Sequence, residues 1–405
     1  MVAEKGTDKV IYLEAIRGVS AFLVFIHHFL FAFYPACYTY NLSDSHLNGL
    51  GIYYGKSVFS VFSNGHFFVI VFFVLSGYVL SRKYFLTNNT ELLISGALRR
   101  FLRLYIPVAA TLILAYLLLV MHLYYNGPVA QITHSQCWLS KWWLFQQPLQ
   151  SLLYCLVKGT MFYGDSSFNS VLWTISYEFA GSLFVYAFLA FTHNTRNKLL
   201  SVLLVLLYCK LTNSYFTAAF MLGISLNFIE TMAPHLKSTL TAIVVSILFL
   251  CGLILGSYPD GLFILHPQNI LIQDTVFMHF PQRIINYAEW FHDLGAWFLV
   301  MAFVLSPALQ RVISFWAFKF LGYISFSFYL IHCLVIGSFS CYLFLCLSGR
   351  FGYNHSVAIV FILTTLTCLI LSWAMTKYID EPGVKFSKYI YKTWFKKAEH
   401  ADTLA

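Results

Sequence analysis

The first apolar segment carries a cation and an imidazole on one stripe. It reads RGVSAFLVFIHHFLFAFYP, from Arg17 to Pro35. Arg17 and His28 are roughly 20° apart around an α-helix at about 100° per residue, and roughly 16 Å apart along its axis. His27 turns about 100° away from them. Titratable side chains are expensive in hydrocarbon, and those found there usually serve function. Such a stripe suits an anion at one interface and a base deeper in. Snorkelling of Arg17 to headgroups, or helix-to-helix bonding by the histidine, would use the same residues more plainly.

Other groups could join that chemistry. SGALRRFLRLYIP holds Arg99, Arg100 and Arg103. Arg100 and Arg103 are at i, i+3 and point the same way on a helix. Guanidinium forks match phosphate oxygens, although a basic cluster beside a span also sets topology. Glu178 lies about five residues into a later apolar run that opens at Trp173, and a carboxylate there needs a partner. Tyr329 and His332 share one face of another run at i, i+3. Glu289, His292 and Asp293 form a polar face expected to be a solvated helix start. The aromatic run CWLSKWWLFQQ at 137–147 is expected to be an interfacial lid or belt. No histidine spacing suggests a metal site, and the nine cysteines are scattered without a C-x-x-C pair. No metal is expected.

These residues must be positioned by membrane helices. Of 405 residues, 59% are apolar and only 10% charged, against about a quarter charged in a soluble domain. The formal charge of +9 sits in residues flanking apolar runs rather than on one basic face, which excludes nucleic acid as a partner and points to the lipid bilayer. Stretches long enough to cross about 30 Å of hydrocarbon fall at 18–36, 66–86, 104–123, 170–192, 197–213, 214–230, 239–257, 287–306, 320–346 and 356–378. A short run at 150–163 is expected to be interfacial or re-entrant. The fold class is therefore an all-α polytopic membrane protein of about ten transmembrane helices. Ten crossings place 19 of the 25 Lys and Arg residues on one side, so both termini are expected in the cytoplasm. Sequons at Asn41 and Asn354 then face a lumen, consistent with an endomembrane of the secretory pathway or the plasma membrane. Residues 1–380 are expected to form one transmembrane domain, and 381–405 a short basic cytoplasmic tail.

The motifs resemble those of the membrane-bound acyltransferase-3 family. LEAIRGVSAFLVFIHH resembles its first span, where an arginine, ten residues and a histidine recur; here these are Arg17 and His28. FFVLSGYVL at 72–80 resembles the second span. RRFLR contains the R-x-x-R pair as Arg100 and Arg103. LWTISYEFAGSL is similar to the W-T-x-x-x-E segment, with Trp173 and Glu178, in a form most like the fungal branch. LGYISFSFYLIH resembles the Y-L-x-H span with Tyr329 and His332, and YIDEP resembles the acidic residue and proline that close the last span. There, Asp380 stands where the family usually has glutamate. Glu14 stands where many members have aspartate.

The resemblance implies an integral membrane O-acyltransferase that moves an acyl group, usually acetyl, from acyl-CoA to a hydroxyl of a glycan, lipid or secondary metabolite. Arg100 and Arg103, with Arg17, would bind coenzyme A; His28 would be the general base. Glu178 or Asp380 would orient its ring, while Trp173, Tyr329 and His332 would meet substrate. The alternative from a different class is a secondary transporter of an organic anion, because intramembrane Arg, His and Glu also line substrate and proton paths. No repeat relates two halves of this chain, as transporters often show.

Overall fold

The computed structural model describes residues 10–232, 239–259 and 288–395. Among these residues all regular structure is helical and no strand occurs. In hydrocarbon each backbone N–H and C=O must be satisfied within the segment, and the helix does this alone. The long helices are α1 (Ile11–Phe33), α2 (Gly65–Thr87), α3 (Glu91–Val120), α4 (Trp173–Phe191), α5 (Lys198–Thr212), α6 (Tyr215–Met232), α7 (Thr239–Gly256), α8 (Ala288–Leu305), α9 (Trp316–Val335) and α10 (Tyr353–Met375). Seven helices among the described residues are long and apolar enough to cross a membrane: α1, α2, α3, α4, α8, and α9 and α10 with their continuations. The chain is thus an all-α polytopic membrane protein. Helices α5, α6 and α7 occupy the three other expected apolar ranges. Leu203, Leu207 and Leu211 of α5 are exposed, an apolar stripe that water would disfavour and lipid accepts.

α1 is the central element, packed against α9 and α2. Two glycines let α1 and α9 touch backbone to backbone. A methyl group on Gly18 would overlap the backbone of Leu321 and Gly322, and one on Gly322 would overlap Glu14 and Ala15. Small residues at a crossing are how membrane helices approach closely, since lipid tails offer no hydrophobic drive. The contact lies beside Arg17 and so fixes that side chain against the helix that carries Tyr329 and His332. Farther along, Phe25 is fully buried and stacks on Phe361 of α10, with ring centroids 5.9 Å apart.

Two irregular features shape the interior. The run expected at 150–163 is a helix from Pro148 to Tyr163 interrupted by a π turn at Cys155–Gly159. Gly164, at φ +67°, ends it. The chain then dips into the bundle without regular structure: Phe168 and Asn169 have no exposed surface. Asn169 donates to the Leu330 carbonyl at 2.6 Å, and Ser170 Oγ donates to Cys333 Sγ at 3.2 Å. Irregular backbone at this depth is tolerated where protein surrounds it. It displaces the start of α4 to Trp173, three residues past the expected 170. The second feature is a π turn at Thr376–Asp380, after which the helix continues through Glu381–Ile390 and Tyr391–Phe395. Gly383 there seats on Ile106 of α3. Residues 396–405 of the expected tail, and residues 1–9, 233–238 and 260–287, lie outside the described residues.

One expectation is corrected. His292 and Asp293, read as part of a solvated helix start, have no exposed surface. The first turns of α8 pack on α2 and α7, so tertiary packing, not helix position, decided their burial.

Candidate active site

A cavity, partly open to solvent, lies at the end of the bundle where α1 and α9 begin. Arg17, Arg100, Arg103, Glu178, Tyr329 and Asp380 all line it, together with Glu14. Six residues singled out in five separate stretches of sequence therefore meet in one space. Asp380 is brought there by the π turn that ends α10; such turns recur at functional sites.

The three guanidinium groups differ in their commitments. Arg100 is buried and forms an ion pair with Glu178, while its Nε donates to Ser182 Oγ at 2.9 Å. Glu178 also accepts from Ser76 Oγ at 2.8 Å. Arg17 and Arg103 have no hydrogen-bond partner among the described residues, and both face the cavity. Two uncommitted forks at the rim, with a third braced behind them, suit a ligand bearing several anionic oxygens.

His28 is some distance beyond. It is partly exposed, and its ring faces protein: His332 at 5.1 Å between centroids and Trp138 at 5.3 Å. His28 Nδ1 lies 3.0 Å from the Val24 carbonyl and 3.1 Å from His332 Nε2. His332 Nδ1 lies 3.1 Å from the Phe328 carbonyl. A carbonyl only accepts, so in the neutral rings both Nδ1 atoms carry hydrogen. His332 Nε2 is then an acceptor for His28 Nδ1–H, and the lone pair of His28 is on Nε2. The sequence expected a carboxylate to orient this ring. In the structure the orienting bond comes from His332, whereas Glu178 bonds Arg100 and Ser76.

Neither His28 nor His332 lines the cavity. Tyr329 does, and its ring centroid is 5.9 Å from that of His332. Tyr329 Oη lies 3.0 Å from Thr174 Oγ1, and both hydroxyls reach the Val171 carbonyl, at 3.3 and 2.9 Å. Trp173 packs on Phe216 at 5.5 Å and on Tyr177, away from the arginines.

A family model described as an acyltransferase domain, acyltransferase 3, matches residues 10–377. The chain belongs to the acyltransferase-3 family. No curated protein and no solved structure matches it. The match spans every residue of the cavity except Asp380. In this acyltransferase-3 chain His28, His332 and Cys333 also place one ligand atom each within 4.8 Å of one another. The facing nitrogens already share a hydrogen bond and Cys333 Sγ accepts from Ser170, so hydrogen bonding accounts for the arrangement without an ion.

Several contributing residues were not singled out in the sequence. Ser76 and Ser182 brace the Arg100–Glu178 pair, and both lie inside quoted motifs, where only their small size was legible. Trp138 covers His28 and stacks on Phe31 at 5.6 Å. The aromatic run at 137–147 signalled a lid, but nothing in its spacing tied one tryptophan to His28.

Proposed function

We propose that this protein is an O-acyltransferase that takes an acyl group, typically acetyl, from acyl-CoA and delivers it to a hydroxyl on a glycan, lipid or secondary metabolite. On the reading of ten crossings with both termini in the cytoplasm, the cavity mouth would face the side where coenzyme A is found. Arg17 and Arg103 hold its phosphates, with Arg100 braced by Glu178 behind them. The extended pantetheine arm carries the thioester inward past Tyr329. His28 Nε2 takes the proton of the acceptor hydroxyl as that oxygen attacks, and His332 holds the ring in the required tautomer. Asp380 shapes the charge balance at the mouth; Trp173, packed on Phe216 and Tyr177, takes no part in this reading.

The observation that carries this proposal is the cavity itself. It gathers three guanidinium groups together with Tyr329, whose ring centroid is 5.9 Å from that of His332, the hydrogen-bond partner of His28. Purified protein incubated with radiolabelled acetyl-CoA tests it. Acyl product made by the wild type and lost in His28→Ala at normal abundance is expected; full turnover by His28→Ala would remove that histidine as base. Binding of acetyl-CoA in calorimetry should weaken in Arg17→Ala and Arg103→Ala. Uptake of an organic anion into vesicles without product would favour the transporter.

A further inference from the structure

Acyl transfer builds negative charge on the thioester oxygen, and a catalyst for it needs donors aimed there. The arginines are at the mouth and already suit phosphates, so the donors must lie at the inner end of the cavity, between the mouth and His28. Two hydroxyls occupy that place. Tyr329 and Thr174 both line the cavity, their oxygens are 3.0 Å apart, and the Tyr329 ring contacts that of His332. Both hydroxyls use the Val171 carbonyl as an acceptor. One carbonyl shared by two donors, at 2.9 and 3.3 Å, leaves the longer bond, from Tyr329, the easier to exchange for another oxygen. Thr174 is also the second residue of α4, a helix of 19 residues. The positive end of its dipole is therefore at the inner end of the cavity, where developing negative charge is favoured.

From this we infer that Tyr329, with Thr174 beside it, is the oxyanion stabiliser of the reaction; the inference rests on the acyltransferase reading above. The acceptor oxygen forms a bond to the thioester carbon as its proton passes to His28 Nε2. The carbonyl π pair moves onto oxygen, which accepts from Tyr329 Oη–H in place of the Val171 carbonyl. On collapse the C=O bond reforms, the C–S bond breaks with its pair leaving on sulfur, and His28 returns the proton to the thiolate. Tyr329 thus changes hydrogen-bond partner and keeps its proton throughout.

The test is turnover of acetyl-CoA by the full chain in lipid nanodiscs, with a metabolite extract of the producing cells as acceptor source and release of the CoA thiol as readout. Acetyl-CoA binding is measured separately by calorimetry. Tyr329→Phe should lower kcat about 100-fold while the Kd for acetyl-CoA stays within about two-fold. Thr174→Val should lower kcat about ten-fold, and the double variant should lose less than the product of the two. The inference is overturned if Tyr329→Phe keeps kcat within about three-fold of wild type, or if its Kd rises in step with its lost rate, which would make Tyr329 a binding residue. Should Tyr329→Phe fail to accumulate, unchanged kcat in Thr174→Val overturns it equally. A wild type that binds no acetyl-CoA and releases no thiol instead sinks the acyltransferase proposal beneath it.

Discussion

Two histidine pairs in this molecule are nearly superimposable in local geometry and differ in everything around them. His28 and His332 have ring centroids 5.1 Å apart at 45°. His66 and His292 also have centroids 5.1 Å apart at 45°, with their Nδ1 atoms 2.8 Å apart. In the second pair His292 Nε2 faces the Tyr258 carbonyl at 2.9 Å and Asn64 Nδ2 at 3.2 Å. Both its nitrogens are thus in use, and the pair clips α2 to α8. In the first pair each ring bonds its own helix one turn back, and His28 keeps Nε2 and some accessible surface. A histidine pair is therefore not chemistry in itself. What separates the two is position: the His332 ring of the first pair contacts Tyr329, which lines the cavity, and among the described residues neither ring of the second pair touches a tyrosine there. The second pair is glue of the kind expected between membrane helices.

The largest test of that contrast is loss of each pair in turn. His28→Ala should reduce acyl transfer per folded molecule by about 10³-fold, in the range of lost general bases. His66→Ala should leave turnover per folded molecule within about three-fold while lowering the yield of folded protein. Equal catalytic losses in the two variants would erase the distinction. Next in size is Arg100→Ala. It strands Glu178 in a buried place, and breaking such a pair costs about 3–5 kcal/mol, so folded abundance and melting temperature should fall. By contrast, Arg17→Ala and Arg103→Ala should raise the KM for acyl-CoA about ten-fold each, as expected for one charged hydrogen bond, with unchanged melting. His332→Ala should lower kcat about 30-fold through misplacement of the His28 ring, and the KM for acyl-CoA should not move. His292→Ala, the matching change in the other pair, should alter melting and not kcat.

Smaller effects probe the scaffold beneath the first pair. Gly18→Ala drives a methyl group into the α9 backbone, and overpacking of that kind costs about 1–3 kcal/mol, visible as a lower melting temperature in detergent. Asp293→Asn is the smallest. Asp293 is buried with neither carboxylate oxygen hydrogen-bonded among the described residues, so an amide of the same shape should leave melting and turnover near wild type. A large loss of either would mean that the second region does more than hold helices together.

Much of the catalytic end was legible because its chemistry is local. A guanidinium and an imidazole eleven residues apart share a helix face by geometry alone, and the R-x-x-R pair shares one for the same reason. Arg17, Arg100, Arg103, Glu178, Tyr329 and Asp380 line one cavity. The partner of His28 was not legible as such. A carboxylate was the reasonable expectation for an orienting group, yet His332 holds the ring, because α9 crosses α1 at Gly18 and Gly322 and brings the two faces into contact. Trp138 was hidden for a related reason: it reaches the site through irregular chain whose course no periodicity encodes.

Composition and apolar run length by themselves determined that this chain is a bundle of membrane helices, since a segment so poor in charge has no stable place in water and no alternative backbone structure in lipid. Motif order by itself determined the acyltransferase-3 family. Which histidine keeps a free nitrogen, which arginine is braced and which two stay available, and whether His292 meets solvent or a second imidazole, were decided only by how the helices pack. Those properties depend on distances between side chains on different helices, and such distances are set by close backbone contacts and buried loops rather than by any spacing along the chain.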